Sequence, residues 1–130
     1  MPDTLIKRHF ERLRDRCPEA TLEDMPSGAG LVTIPHQPLR SGWSIDMATL
    51  RFIAPNGYAV AAPDCFWIEP GLTLKDGSLP KNSQLKFQIP ETPIVAHWFS
   101  WHVQAGKWCP NRHDLLAWYG LCRERLDVLE

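Results

Sequence analysis

Gly57 to Gly71 reads GYAVAAPDCFWIEPG. Pro63 and Pro70 bracket Phe66, Trp67 and Ile68 in the densest apolar and aromatic run of the chain. Proline fixes φ and lacks an N–H. Such a stretch therefore turns a stiff corner after Tyr58, enters a short buried strand and leaves it at Pro70. The rest of the chain is expected to pack around that corner.

Immediately upstream, Ile45 to Ile53 places Ala48, Leu50 and Phe52 on one face and Thr49 and Arg51 on the other. That period of two marks a half-buried strand. Ala54 to Gly57 turns it back. Further upstream, Thr21–Asp24 and Leu31–Ile34 form the two arms of a hairpin across the turn Met25–Gly30, and Pro35 to Trp43 is a loop. The centre of the chain thus predicts an antiparallel meander of about four strands. Before it, TLIKRHFERLRDRC carries Ile6, Phe10, Leu13 and Cys17 at helical spacing, with Asp3 as the expected cap and Pro18 as the stop. Lys7, Arg8, Arg12 and Arg14 fall on the opposite face as solvated surface.

Downstream, patterning fades from Leu72 to Pro93, where Pro80, Pro90 and Pro93 forbid a long helix. VAHWFSWHVQAGKW (95–108) then reads as an irregular, aromatic segment. Pro110 and Asn111 introduce a second helix, with Asn111 as its cap and Leu115, Trp118 or Tyr119, Cys122, Leu126 and Leu129 on the apolar stripe. Gly120 inside it is read as permitting close packing on the sheet. Helix, meander, proline-rich excursion and helix amount to one α+β domain over residues 1–130.

The 14 basic and 15 acidic residues leave a net charge of −1, so no global field points to nucleic acid or an anionic membrane. No charged-then-apolar leader opens the chain, and no window approaches ~18 consecutive apolar residues. A soluble, cytoplasmic protein is expected. Cys17, Cys65, Cys109 and Cys122 are scattered, without a C-x-x-C pair, and read as reduced thiols. Trp43, Trp67 and Trp118 are expected in the core, whereas Trp98 and Trp101 do not define a face.

Two longer segments, GYAVAAPDCFWIEPGLTLKDGSLPKN (57–82) and HWFSWHVQAGKWCPNRHDLLAWYGLCRERL (97–126), carry a resemblance. The first resembles the tyrosine, proline and phenylalanine corner, and the second the active-site loop, tryptophan-x-proline motif and following helix, of the ubiquitin-conjugating enzyme superfamily in its bacterial family E. Between Gly42 and Leu126 the likeness spans about two thirds of the chain. It implies an initial helix, a four-stranded meander and helices behind it. It also implies a place in bacterial gene clusters beside an adenylating activating enzyme, a ubiquitin-like protein as modifier and a metal-dependent deconjugating peptidase. No cofactor is implied for the chain itself.

In the resembling enzymes the nucleophilic cysteine lies eight residues before the motif's tryptophan. Counting back from Trp108 of Trp108-Cys109-Pro110 reaches Ser100. The family's His-Pro-Asn motif is missing, and Asn82 of Pro80-Lys81-Asn82 is the nearby asparagine left to steady an oxyanion. A serine hydroxyl is negligibly ionised at neutral pH and needs a positioned base, for which His102 and His97 are the candidates. The implied chemistry is acyl transfer: an activated modifier C-terminus held on Ser100 as an oxyester, then passed to an amine. Cys109 is the alternative nucleophile, expected beside a helix N-terminus that would favour its thiolate. Two other classes remain open. One is a non-catalytic binding module for the modifier or the activating enzyme. The other is a small metal-binding domain using His97, His102, Cys109 and His113, whose H-x4-H-x6-C-x3-H spacing fits no familiar zinc pattern.

Overall fold

The computed structural model describes residues 4–103 and 107–130. Helix α1 covers Leu5–Arg16 and buries His9, Phe10 and Leu13. Its N-cap is Thr4, whose side chain accepts the Lys7 N–H at 3.1 Å. Asp3, the expected cap, lies outside the described residues. After the Pro18 stop come β1 (Thr21–Asp24), β2 (Gly30–Pro38) and β3 (Met47–Ala54). β4 is the four residues Phe66–Glu69, followed by β5 (Ser83–Gln88), β6 (Val95–Phe99) and helix α2 (Leu115–Leu126).

These strands form one antiparallel sheet in the order β1-β2-β3-β4-β6-β5. β1 to β4 are the expected meander, each paired to its neighbour in sequence, with Leu50 opposite Ile68. The sheet has six strands rather than four because the proline-rich excursion and the aromatic segment form a hairpin, whose second arm docks on β4 with Trp98 opposite Trp67. Pro80, Pro90 and Pro93 fall outside its arms, where a missing N–H breaks no ladder bond. They exclude helix from this region without excluding strand. Within the hairpin the register shifts by one residue between Gln84 and Phe87, a β-bulge.

Both helices share one core cluster with one face of the sheet. Val32, Leu50, Phe52, Phe66, Ile68 and Phe99 meet Phe10, Leu13, Leu115, Trp118, Cys122 and Leu126, and all are buried. The stripe of α2 thus runs through Trp118, with Tyr119 half-buried beside it. Trp43 and Trp67 are buried as expected, the latter in a smaller cluster with Met25, Leu31, Ile89 and Ala96. The loop after β2 closes the end of α2: Trp43 Nε1 donates to Leu126 O at 2.7 Å and Arg40 to Asp127 O at 2.6 Å. Two of the carbonyls that a helix leaves unpaired are satisfied in this way. Gly42 is required there, because at its φ of +120° an added Cβ would lie 2.4 Å from Leu129 Cδ1.

Two expectations for α2 need correction. Its cap is Asp114, which accepts the Ala117 N–H at 2.9 Å and pairs with Arg12 of α1 at 3.5 Å. Asn111 is exposed in the preceding turn. Gly120 does not face the sheet: it is exposed, and a Cβ built on it meets nothing within 4 Å. Gly120→Ala therefore relieves the backbone-entropy cost of a mid-helix glycine without a clash. We expect it to raise the stability to urea by about 1 kcal/mol.

Candidate functional site

The site forms where the β5–β6 hairpin opens. Asn82, just before β5, adopts a φ of 58°, in the left-handed region that asparagine tolerates better than most residues. Its carbonyl accepts the Ser100 N–H at 2.8 Å, so the hairpin ladder continues one step past Ser83 opposite Phe99 and joins the two candidate residues. Ser100 Oγ lies 3.2 Å from His102 Nε2. With the imidazole proton on Nδ1, the hydroxyl donates to Nε2, the arrangement a general base needs.

Asn82, Ser100 and His102 line one cavity of about 830 Å³ with Trp101, Trp108 and His113. Val103, Ala117 and Leu121 add apolar wall, and Lys107 adds a cation. The aromatic wall is anchored to the corner from which the fold was read: Trp108 Nε1 donates to Ala59 O at 2.7 Å, and its ring centroid lies 6.4 Å from that of Tyr58. Tyr58 is fixed in turn, its hydroxyl 2.5 Å from Nδ1 of the buried His9. Burial raises the Tyr58 pKa and, with the Arg12 and Arg8 charges, lowers that of His9 despite the opposing pull of Asp114. Both therefore stay neutral, and the hydroxyl donates to the imidazole. His9 is a part of this framework that the sequence reading missed, since a histidine beside a helix stripe looks like surface.

His97, the other candidate base, is placed elsewhere. It is fully buried on the helix face of β6, its Nδ1 accepting the Leu72 N–H at 3.1 Å and its Nε2 lying 3.0 Å from Ser83 Oγ. Ser83 Oγ already donates to Pro80 O at 2.7 Å, so it accepts from Nε2–H. Both ring nitrogens are committed, which leaves His102 as the imidazole facing Ser100. Burial, reinforced by the Arg125 charge, pushes the His97 pKa down to about 4.

No protein-family model, curated protein or solved structure matches this chain.

Cys109 is half-buried in a turn beside the cavity but does not line it. Its carbonyl accepts the Arg112 and His113 N–H groups, and its own N–H donates to His113 Nδ1 at 2.8 Å. The positive helix end expected next to it begins later, at Leu115, and is already met by the Asp114 carboxylate. The same bond fixes His113 as the Nε2–H tautomer, a donor in the cavity wall. Cys65 lies just before β4, and burial raises its thiol to about 12; burial likewise holds Cys122 well above the usual thiol range. All four cysteines are free. Among the described residues, no three His, Cys, Asp or Glu side chains converge as metal ligands, so His97, His102, Cys109 and His113 are not brought together as a set. No helix among the described residues is long and apolar enough to cross a membrane.

Trp98 and Trp101 resolve into different environments. Trp98 stacks on Phe87, with centroids 4.7 Å apart, on the side of the sheet away from the helices. Trp101 packs against the helix-side core and lines the cavity.

Proposed function

We propose that this chain is a ubiquitin-conjugating-enzyme-like protein. In this reading it takes the activated C-terminus of a ubiquitin-like modifier onto Ser100 as an oxyester and passes it to an amine. The observation that carries the reading is the Ser100 Oγ to His102 Nε2 approach of 3.2 Å inside a cavity that also presents Asn82. The hydroxyl proton passes to His102 Nε2 as Oγ attacks the acyl carbon. The C–S bond of an incoming thioester breaks, and the departing sulfur takes the proton back from the imidazole. The side chains of Asn82 and His113, both in the cavity lining, are assigned as donors to the oxyanion, a contribution of about 3 kcal/mol where such donors have been removed. The order of first helix, meander and final helix supports the reading, while the site-bearing β5–β6 hairpin and the single helix after the sheet among the described residues depart from the four strands and several helices that the resemblance implies.

The test is to incubate the protein with a synthetic peptide thioester ending in Gly-Gly and to map adducts by intact mass and peptide sequencing. Ser100→Ala, Ser100→Cys and Cys109→Ala are run beside the wild type. An adduct on Ser100 that survives thiol reductant and yields to hydroxylamine is expected. A reductant-sensitive adduct on Cys109 would move the nucleophile to that residue. Noncovalent binding without an adduct in any variant would make the chain a binding module.

A further inference from the structure

Behind the cavity sits a buried cation that the proposed chemistry does not use. Arg125, on the inner face of α2, is 4% exposed. Its Nη2 donates to Lys81 O at 3.0 Å and to Glu130 O at 2.8 Å, and its Nη1 to Val128 O at 3.2 Å. The guanidinium carbon lies 5.3 Å from the Phe99 ring centroid and 5.9 Å from that of Trp101. Burying a charge is costly, and here main-chain oxygens of Lys81, Val128 and Glu130, together with the charge of Glu130, offset that cost.

The partners are what make this placement informative. Lys81 precedes Asn82, while Phe99 and Trp101 flank Ser100. The guanidinium thus hydrogen-bonds the chain just before β5 and lies over the rings on either side of Ser100, a planar contact that a lysine's point charge does not reproduce. We propose that Arg125 is a positioning residue that sets the relation of the Asn82 and Ser100 backbones, and through Trp101 the placement of His102. This inference rests on the Ser100-centred reading above.

Arg125→Lys and Arg125→Gln test it in the full-length chain. The first keeps the charge without the fork, and the second removes the charge and leaves a shorter amide that stops short of the Lys81 carbonyl. In both we expect a cooperative fold and displaced His102 ring signals in NMR spectra. Ser100 acylation by the Gly-Gly peptide thioester should be about 30-fold slower at saturation, with the half-saturating concentration within ~3-fold of wild type. A folded variant with wild-type His102 signals and a rate within ~2-fold would overturn the proposal. So would loss of the cooperative fold in both variants, which would mark Arg125 as purely structural. If the wild type takes up no acyl group at all, the Ser100 reading fails on its own, and the His102 spectra still decide whether Arg125 positions that ring.

Discussion

Lowering the pH from 7 to 5 is expected to cost this fold about 2 kcal/mol, most of it through His97. The neutral Nε2–H tautomer satisfies both of its contacts, since Nδ1 accepts from Leu72 N–H and Nε2 donates to Ser83 Oγ. Protonating Nδ1 would set one N–H against another in a fully buried place beside Arg125. In the unfolded chain the same imidazole takes up a proton near pH 6.5, whereas in the fold it resists until about pH 4. The unfolded state therefore binds more protons between those values. The stabilisation is complete above about pH 6.5 and is lost as the pH falls toward 4. His9, also lowered by burial, acts in the same direction. Urea midpoints at pH 7 and pH 5 should differ by roughly 1.5 M for a domain of this size. His97→Gln retains an acceptor for Leu72 and a donor for Ser83, so it should flatten most of that difference. An unchanged difference in His97→Gln would place the acid sensitivity elsewhere.

The second large effect concerns the proposed base. His102→Ala is expected to slow Ser100 acylation by about 10³-fold, within the range for losing a positioned general base. Ser100→Cys in the same background should recover most of the loss, because a thiol with a pKa near 8.5 is already a few per cent thiolate at neutral pH and depends far less on the imidazole. Single-turnover rates of peptide thioester uptake in the wild type, His102→Ala and the double variant measure this directly. If His102→Ala matches wild type, His102 is not the base, whatever its distance from Ser100. If the double variant is as slow as His102→Ala, the imidazole acts on something other than the nucleophile's proton.

Much of the architecture was legible because it rests on local periodicity. Ile6, Phe10, Leu13 and Cys17 fixed the face of α1, and Ala48, Leu50 and Phe52 fixed that of β3. The β5–β6 hairpin was not legible in the same way. β5 is an edge strand, exposed at Gln84, Leu85, Lys86 and Gln88, so the alternation of Leu85 and Phe87 with polar neighbours sorts no inside from outside. β6 packs side chains on both faces and reads as a continuous run, and only its β-branched and aromatic make-up between Pro93 and Ser100 hinted at a strand. At the site, counting back from Trp108 led to Ser100, and two-residue spacing led to His102. Spacing could not tell His102 from His97, because that choice depends on which imidazole finds Leu72 and Ser83 across the sheet. Arg125 was invisible for a related reason: its partners, Lys81, Phe99 and Trp101, are distant in sequence, and an arginine near a helix end ordinarily reaches solvent.

The bulge between Gln84 and Phe87 has a practical meaning for anyone redesigning this hairpin. One surplus residue on β5 brings Asn82 opposite Ser100, so deleting Leu85 or Lys86 would slide the frame and pair Ser100 with a different residue. The far turn, Ile89 to Ile94, is free of that constraint. An epitope or fluorophore-bearing insert between Glu91 and Thr92 would sacrifice the Glu91 bonds to Ser27 and the Thr92 bonds that close the turn on Gln88 and Ile89, while keeping the register at the open end. The hairpin therefore has a tip whose length is not tied to the site and a shaft whose count of residues cannot change.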